Sequence, residues 1–246
     1  MAQPIIKLPD SFAKLLIATN SHLGGTDLSK PMSHYVFGKR NDKIRVFDID
    51  KTWKKLILAA RVFCGYSNPG SITAISGKLF AKKAVHKFAE LTGCKASTGR
   101  FVPGAFTNTT IKTYNSPRLV IVSDPNVDKQ AITEASFINC PVIAFANTDS
   151  DLSCVDIAIP INNRSPKAIG ASFYILSKLI NFIRNGTPLE DDHKTVELFF
   201  YRNQVEFERL LKEQKDTVQE NILNQLRDGS QDDFENKKED LPVSNQ

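Results

Sequence analysis

Two short and uninterrupted apolar runs constrain the fold of this chain more than any other feature of its sequence. They span residues 119–122 and 142–145, and turn-forming residues bound both. A strand with apolar side chains on both faces is typical of a parallel sheet that is covered by helices on each side. Parallel neighbours need a long crossover, and residues 128–137 have the pattern of a crossover helix. The two runs therefore predict an α/β fold.

The alternation of strands with helices extends along most of the chain. Further strands are predicted at residues 35–37, 44–47, 72–75 and 156–160, and further helices at 11–18, 50–64, after Gly77, and from Ser165 to Gly186. Asp50 is expected to cap the second helix, and the helix after Gly77 is expected to bury Leu79. Repeated strand–helix–strand order predicts a mostly parallel sheet with helices on both faces.

Charge is unevenly distributed along the 246 residues. Residues 1–189 contain 24 Lys and Arg against 12 Asp and Glu, a net charge of +12, whereas residues 190–246 contain 8 against 15, a net charge of −7. A basic body favours a polyanionic partner. We predict one α/β domain over residues 1–205 and an acidic C-terminal extension over residues 206–246, partly helical and then disordered.

The sequence carries no pattern typical of a membrane span, a secretory signal or a metal site. No window approaches the roughly 18 apolar residues of a spanning helix, and the first ten residues do not resemble a signal peptide. The four cysteines form no C-x-x-C pair and the four histidines form no H-x-x-x-H pair. We therefore expect a cytoplasmic protein with no cofactor, no metal and no small-molecule substrate.

The strongest enzymatic alternative is a magnesium-dependent phosphatase built on Asp48 and Asp50. The order Asp48-Ile-Asp50-Lys-Thr52 resembles the signature of haloacid-dehalogenase-type phosphatases, in which the first Asp attacks phosphorus. The motif runs directly into a predicted helix, however, so a capping role for Asp50 is the favoured interpretation. Ser76-Gly77-Lys78 lacks the spacing of a phosphate loop. A free-standing adaptor that uses a helix in the acidic extension is the third possibility.

Several longer motifs point to one family. They are Ser21-His-Leu-Gly-Gly25, Asp50-Lys-Thr-Trp53, Gly99-Arg-Phe-Val-Pro-Gly-Ala-Phe-Thr-Asn108, Ser123-Asp-Pro125, Ile132-Thr-Glu-Ala-Ser136, Cys140-Pro141, Asn147-Thr-Asp-Ser150 and Val155-Asp-Ile-Ala-Ile-Pro160. Over about residues 11–203, the chain resembles the eukaryotic small-subunit ribosomal protein SA family, also called the laminin-receptor precursor family. This is the eukaryotic and archaeal branch of the second universal small-subunit ribosomal protein.

The resemblance implies a flavodoxin-like three-layer α/β/α sandwich without enzymatic activity. It also implies a place at the head–body junction on the solvent side of the cytoplasmic small ribosomal subunit, in contact with ribosomal RNA and neighbouring ribosomal proteins. The chain would then be needed for small-subunit assembly and stability, and so for translation. No membrane partner is expected.

The residues expected to contact RNA are basic side chains and glycines that permit close backbone approach. Arg100 is the main candidate, because it lies between Gly99 and Gly104 in the most family-specific motif. The other candidates are Lys39, Arg40 and Lys43 in a predicted turn, Lys82, Lys83 and Lys87 on one helix, and His22, Gly24 and Gly25. Phe199, Phe200, Tyr201 and Arg202 are expected to dock on the domain or on a protein neighbour.

Overall fold

A computed structural model describes residues 6–189, 193–205, 207–209 and 211–212. The chain divides into a first unit that ends at Tyr201 and a second that begins at Arg202. The fold and every site described below belong to the first unit. Most of the predicted acidic extension lies outside the described residues, and the domain boundary at residue 205 stays a prediction.

The centre of the first unit is a five-stranded sheet in which every neighbouring pair is parallel. Its strands are β3 (Ile72–Ser76), β4 (Lys95–Thr98), β5 (Leu119–Val122), β6 (Val142–Ala146) and β7 (Ile157–Pro160), in the spatial order β4-β3-β5-β6-β7. Counted along the chain, this is the order 2-1-3-4-5 that is typical of flavodoxin-like folds. The apolar runs at residues 119–122 and 142–145 are buried on both faces, as predicted.

Helices cover both faces of the sheet, but unequally. The first face packs against α1 (Asp10–Ala18), α2 (Ile49–Cys64), α3 (Lys82–Thr92) and α5 (Pro166–Asn185), with α6 (His193–Glu197) beside α5. The second face packs against α4 (Lys129–Phe137) and against Phe101, Ala105 and Phe106 of an irregular segment. The three-layer α/β/α sandwich is thereby confirmed, and part of its third layer has no regular secondary structure.

A β-hairpin stands outside the parallel sheet. Its strands β1 (Val36–Lys39) and β2 (Arg45–Phe47) pair in antiparallel fashion, as the two predicted strands around a turn require. Phe47 packs with Met32, Ala146 and Ala158 in a small core of its own. The hairpin is thus attached beside the carboxyl ends of β6 and β7.

Two local predictions were wrong. Asp48, not Asp50, is the N-cap of α2, because the helix begins at Ile49 and the Asp48 carboxylate accepts a hydrogen bond from the amide of Asp50 (3.1 Å). Leu79 is 60% exposed rather than buried. It lies in a 3₁₀ turn, Leu79–Ala81, that precedes α3, so it does not share the apolar face of that helix.

Among the described residues, no helix is both long and apolar enough to span a membrane. Within the same part of the chain, no three side chains of His, Cys, Asp or Glu are grouped so that they could hold a metal ion.

Candidate RNA-binding surface

The structure brings Arg100 and Lys82 together at the carboxyl end of β4. Gly99 follows the strand with φ of 97°, a conformation that favours glycine, and its amide donates to the carbonyl of Ser76 (2.8 Å). A Cβ atom at Gly99 would lie 3.9 Å from Nζ of Lys82. Arg100 is exposed, and no carboxylate of the described residues forms an ion pair with Arg100 or Lys82. These two cations are therefore available to an anionic partner.

A buried carboxylate fixes the loop that carries Arg100. Glu134 of α4 is 3% exposed and accepts hydrogen bonds from the amides of Gly104 (2.7 Å) and Phe106 (3.2 Å). Gln130 donates to the same carboxylate (2.9 Å). The two hydrogen bonds from the loop tie its backbone to α4. Sequence reasoning missed this role, although an acidic residue among the buried side chains of α4 was a signal that could have revealed it.

The lysines of α3 do not form a single surface. Lys82 and His86 are four residues apart on the side of α3 that faces β4, where Nε2 of His86 lies 3.0 Å from Oγ1 of Thr98. Lys83 and Lys87 lie on the adjacent side, and Nζ of Lys87 is 2.7 Å from a carboxylate oxygen of Glu90. Of the three predicted lysines, the structure places only Lys82 next to the Arg100 loop.

The paired glycines after His22 have an intramolecular explanation. A Cβ atom at Gly24 would lie 2.4 Å from Cγ2 of Thr148, and the amide of Gly25 donates to Oγ1 of the same residue (2.9 Å). Neither glycine has a positive φ, so close backbone approach, not an unusual conformation, requires them. The predicted RNA contact of His22, Gly24 and Gly25 stays a prediction.

Strand β2 of the hairpin is anchored to this glycine loop. The amide of Gly24 donates to the carbonyl of Arg45 (2.8 Å), and the amide of Arg45 donates to the carbonyl of Gly25 (3.2 Å). The three predicted cations are exposed at the tip of the hairpin: Lys39 ends β1, and Arg40 and Lys43 lie in the turn. Arg40 lies 3.8 Å from the carboxylate of Asp42. The hairpin turn is therefore a second basic feature, at the β6 and β7 end of the sheet, while Arg100 and Lys82 lie at the β4 end.

Between these two groups, the crevice at the switch in strand order is filled by the chain's own polar side chains. Flavodoxin-like folds bind ligands at this point, where the first and third strands of the sheet diverge. Here Lys78 forms a salt bridge with Asp124 and donates to the carbonyl of Asn163 (2.7 Å). The amide of Gly77 donates to Asp128 (2.8 Å). Because the amide of Gly77 already donates to a carboxylate of the chain, it is not available to a phosphate, and a phosphate loop at Ser76-Gly77-Lys78 is not supported.

The geometry around Asp48 also argues against the phosphatase alternative. Asp48 follows β2 of the hairpin, so it does not lie at the end of a strand of the parallel sheet, where the acidic pair and lysine of that chemistry would meet it. Its carboxylate caps α2, and its carbonyl accepts from the hydroxyl of Thr52 (3.2 Å). The residues of the motif therefore have structural roles.

The segment predicted to dock on the domain or on a protein neighbour packs largely on the domain. Phe199 is 1% exposed, and its ring centroid lies 5.6 Å from that of Tyr174 in an edge-to-face arrangement. A Cβ atom at Gly170 would lie 2.8 Å from the ring of Phe200. Of the two predicted alternatives for Phe199, the structure shows packing on the domain, against Tyr174 of α5. For Phe200 and Tyr201, which are half-buried, and for Arg202 of the second unit, a partner contact stays a prediction.

Comparison with known proteins shows that the chain is similar to ribosomal proteins of one family. The family model described as "Ribosomal protein S2" matches residues 16–116 and 109–182. The chain is 57% identical to the small ribosomal subunit protein uS2 of Enterocytozoon bieneusi, over 95% of this chain and 98% of that protein. It is 42% identical to uS2B of Saccharomyces cerevisiae, over 82% and 81% of the two chains, and 41% identical to uS2 of Trichoplax adhaerens, over 83% and 72%.

Proposed function

Since the chain belongs to the ribosomal protein S2 family, we propose that it is a structural constituent of the cytoplasmic small ribosomal subunit that binds ribosomal RNA. The RNA-binding surface is the carboxyl edge of the parallel sheet, with Arg100 and Lys82 as its centre and the hairpin turn as its second contact. Neighbouring ribosomal proteins contact other parts of the domain. The chain acts as a scaffold for assembly, at the junction of head and body on the solvent side, and catalyses no reaction.

One observation carries this proposal: Arg100 and Lys82, which form no ion pair within the described part of the chain, lie on either side of Gly99 at the carboxyl end of β4. Lys82 lies 3.9 Å from the Cβ position of Gly99, and the loop that continues from Arg100 is held by Glu134. Folded RNA is bound mainly through its phosphates, by Lys and Arg and by backbone amides. Because hydrogen bonds of Gly99, Gly104 and Phe106 hold the backbone around Arg100, less backbone entropy is lost when this loop contacts RNA.

The first test is sedimentation of the tagged chain from a cell lysate in low salt. We expect the protein in the fractions that contain small ribosomal subunits. Recovery mainly in the light fractions, free of ribosomes, would overturn the proposed function.

The second test reverses one charge at each end of the sheet. Arg100→Glu should reduce incorporation into subunits, because it places a carboxylate where a phosphate binds, and it should lower the salt slope of RNA binding by about one unit. Arg118→Glu is the matched control, since Arg118 is also exposed but immediately precedes β5 and lies at the opposite, amino edge of the sheet. Equal incorporation of the two folded variants, checked by circular dichroism, would exclude Arg100 from the RNA contact.

A further inference from the structure

A groove lies beside Arg100, between β4 and the irregular segment on the second face. Its volume is about 420 Å³, and it is lined by β4, by residues 100–102, 105 and 106, and by residues 112–115, with Thr73 at its base. Pockets of about 300–1,000 Å³ accommodate small molecules. The groove can therefore hold a group of the size of one nucleotide, whereas a double helix is too wide to enter it.

The groove is lined by cations and by no carboxylate. Lys95, Arg100 and Lys112 are exposed along it, and none of its lining residues is Asp or Glu. Lys95 is held in place, because its ammonium donates to Oδ1 of Asn115 (2.8 Å) and the amide group of Asn115 donates to Oγ1 of Thr73 (2.8 Å). None of these three cations forms an ion pair with a carboxylate of the described residues, so the groove favours an anionic occupant.

The groove also offers an aromatic surface. Tyr114 is 40% exposed and lines the groove opposite β4, while Phe101 and Phe106 are buried beneath it with ring centroids 5.0 Å apart. Val102 at the rim is 46% exposed. Aromatic side chains interleaved with cations are typical of surfaces that bind single-stranded nucleic acid, in which bases stack on rings and phosphates contact Lys and Arg.

The walls of the groove are fixed before any ligand binds. Gly104 has φ of 85° and donates its amide to Glu134, which also accepts from Phe106. The amide of Asn115 donates to the carbonyl of Ala105 (2.9 Å), so the two parts of the irregular segment are joined. A prepared groove loses little conformational entropy when a ligand enters.

We propose that this groove binds a single unstacked nucleotide of RNA. Its base stacks on the ring of Tyr114, and its flanking phosphates contact Arg100, Lys95 and Lys112. The inference rests on the proposed function, because it names the part of the RNA that the Arg100 end of the surface recognises. It goes beyond that function, because phosphate contacts alone require no aromatic side chain and do not distinguish a looped-out nucleotide from a duplex.

Binding of short RNAs to the purified full-length chain tests the stacking contact. The probes are a fluorescent oligouridylate, which stays single-stranded, and an RNA duplex of the same length. Tyr114→Ala should weaken binding of the oligouridylate about 5- to 100-fold and leave duplex binding unchanged, as expected for the loss of one stacked base. Tyr114→Phe keeps the ring and should bind like the wild-type chain. Phe137→Ala removes an aromatic ring that is 70% exposed at the end of α4, outside the groove and away from the hairpin, and is the matched control.

Charge substitution tests the phosphate contacts in the same assay. Lys112→Gln should weaken oligouridylate binding, whereas Lys14→Gln, at an exposed lysine of α1, should not. The inference is overturned if Tyr114→Ala binds the oligouridylate as tightly as the wild-type chain. Inorganic phosphate and an oligoglutamate, which stands for an acidic protein segment, are tested as competitors of the oligouridylate. The inference is also overturned if either competitor binds in a way that Lys112→Gln weakens equally and Tyr114→Ala does not change.

Ultraviolet crosslinking of isolated small subunits separates this inference from the proposed function. We expect a nucleotide adduct on a peptide that contains residues 112–115 or 100–102. If the chain sediments with small subunits but carries adducts elsewhere only, the inference fails and the proposed function stands. If the chain does not sediment with small subunits, the proposed function fails first.

Discussion

At the scale of the residue, Asp128 shows how the environment of one carboxyl group can make the stability of the domain depend on pH. It is 3% exposed where the β3–α3 connection meets the start of α4. Burial raises the pKa of its carboxyl group from 3.8 to about 6, and the neighbouring charge of Asp124 acts in the same direction. The hydrogen bond from Gly77 and the charge of Lys78 lower the pKa, but by less.

The sign of the resulting effect follows from the raised pKa. The folded chain holds the proton of Asp128 more tightly than the unfolded chain, so protonation of Asp128 stabilises the folded domain. This contribution to the free energy of unfolding is fully present below pH 3.8 and is lost as pH rises through about 6. A shift of about two units corresponds to about 3 kcal/mol. Above pH 6 the folded domain therefore contains a buried carboxylate that destabilises it.

We predict that Asp128→Asn removes this dependence. Asparagine keeps an oxygen that can accept from Gly77 but carries no charge. The free energy of unfolding of the variant, relative to the wild-type chain, should rise by up to about 3 kcal/mol between pH 4 and pH 7.5. Denaturant unfolding at both pH values measures it, with Asp27→Asn at an exposed loop position as control. If the free energy of unfolding changed equally with pH in the wild-type and Asp128→Asn chains, the raised pKa of Asp128 would be refuted.

At the scale of the element, the start of α2 is the position where a motif of catalytic appearance has a structural explanation. The carboxylate of Asp48 satisfies the amide of Asp50, one of the amides that have no partner within the helix. The hydroxyl of Thr52 donates to the carbonyls of Asp48 (3.2 Å) and Pro160 (2.8 Å) and so joins the same turn to β7. The side chains of Asp48 and Thr52 therefore have structural roles at the start of α2.

We predict that Asp48→Ala lowers the free energy of unfolding by about 1 kcal/mol, through loss of the helix cap. Asp48→Asn should be nearly neutral, because asparagine is also a good capping residue. Neither variant, nor the wild-type chain, should hydrolyse phosphate esters with magnesium. Magnesium-dependent hydrolysis that Asp48→Asn abolishes would restore the phosphatase alternative.

The elements differ in how far their sequences reveal them. Strands β5 and β6, and the apolar stripe of α5, could be predicted because their patterns are local and match one structural period. The cap at Asp48 was misplaced by two residues, because Asp48 and Asp50 are equally suitable residue types and only the backbone decides between them.

The site could be predicted less completely, since its contacts join distant parts of the chain. Arg100 was identified from its motif, but its proximity to Lys82 depends on the parallel pairing of β3 and β4. The support from Glu134 comes from 30 residues further along the chain. Tyr114 lies in a segment without periodicity, and nothing in the local sequence connects it to β4.

At the scale of the whole molecule, the C-terminal part of the first unit completes the core. Val196 and Phe199 are 3% and 1% exposed, and both belong to the core that includes α5. Gly170 allows the backbone of Phe199 to approach the helix, because a Cβ atom there would lie 3.0 Å from the carbonyl oxygen of Phe199. Removing this segment uncovers Tyr174 and Gly170 of α5.

We predict different effects for two truncations. A chain that ends at Leu226 should still enter small subunits. The residues removed contain more acidic than basic side chains and little apolar sequence, so they are not expected to pack on the domain. A chain that ends at Pro188 should enter poorly, since loss of Phe199 alone is expected to cost about 3–5 kcal/mol. Subunit incorporation, with thermal unfolding of each chain, measures both. If both truncated chains failed equally to enter small subunits, residues 227–246 would be as necessary for incorporation as the segment that packs on α5.

The position of β4 at the end of the sheet has a consequence for the chain before it joins any partner. An edge strand presents unpaired backbone groups that can pair with a strand of another molecule. β4 has only four residues, and its exposed side chains include Lys95, a residue type that opposes edge-to-edge pairing. At this edge of the sheet, the shortness and the charge of β4 therefore oppose self-association of free chains.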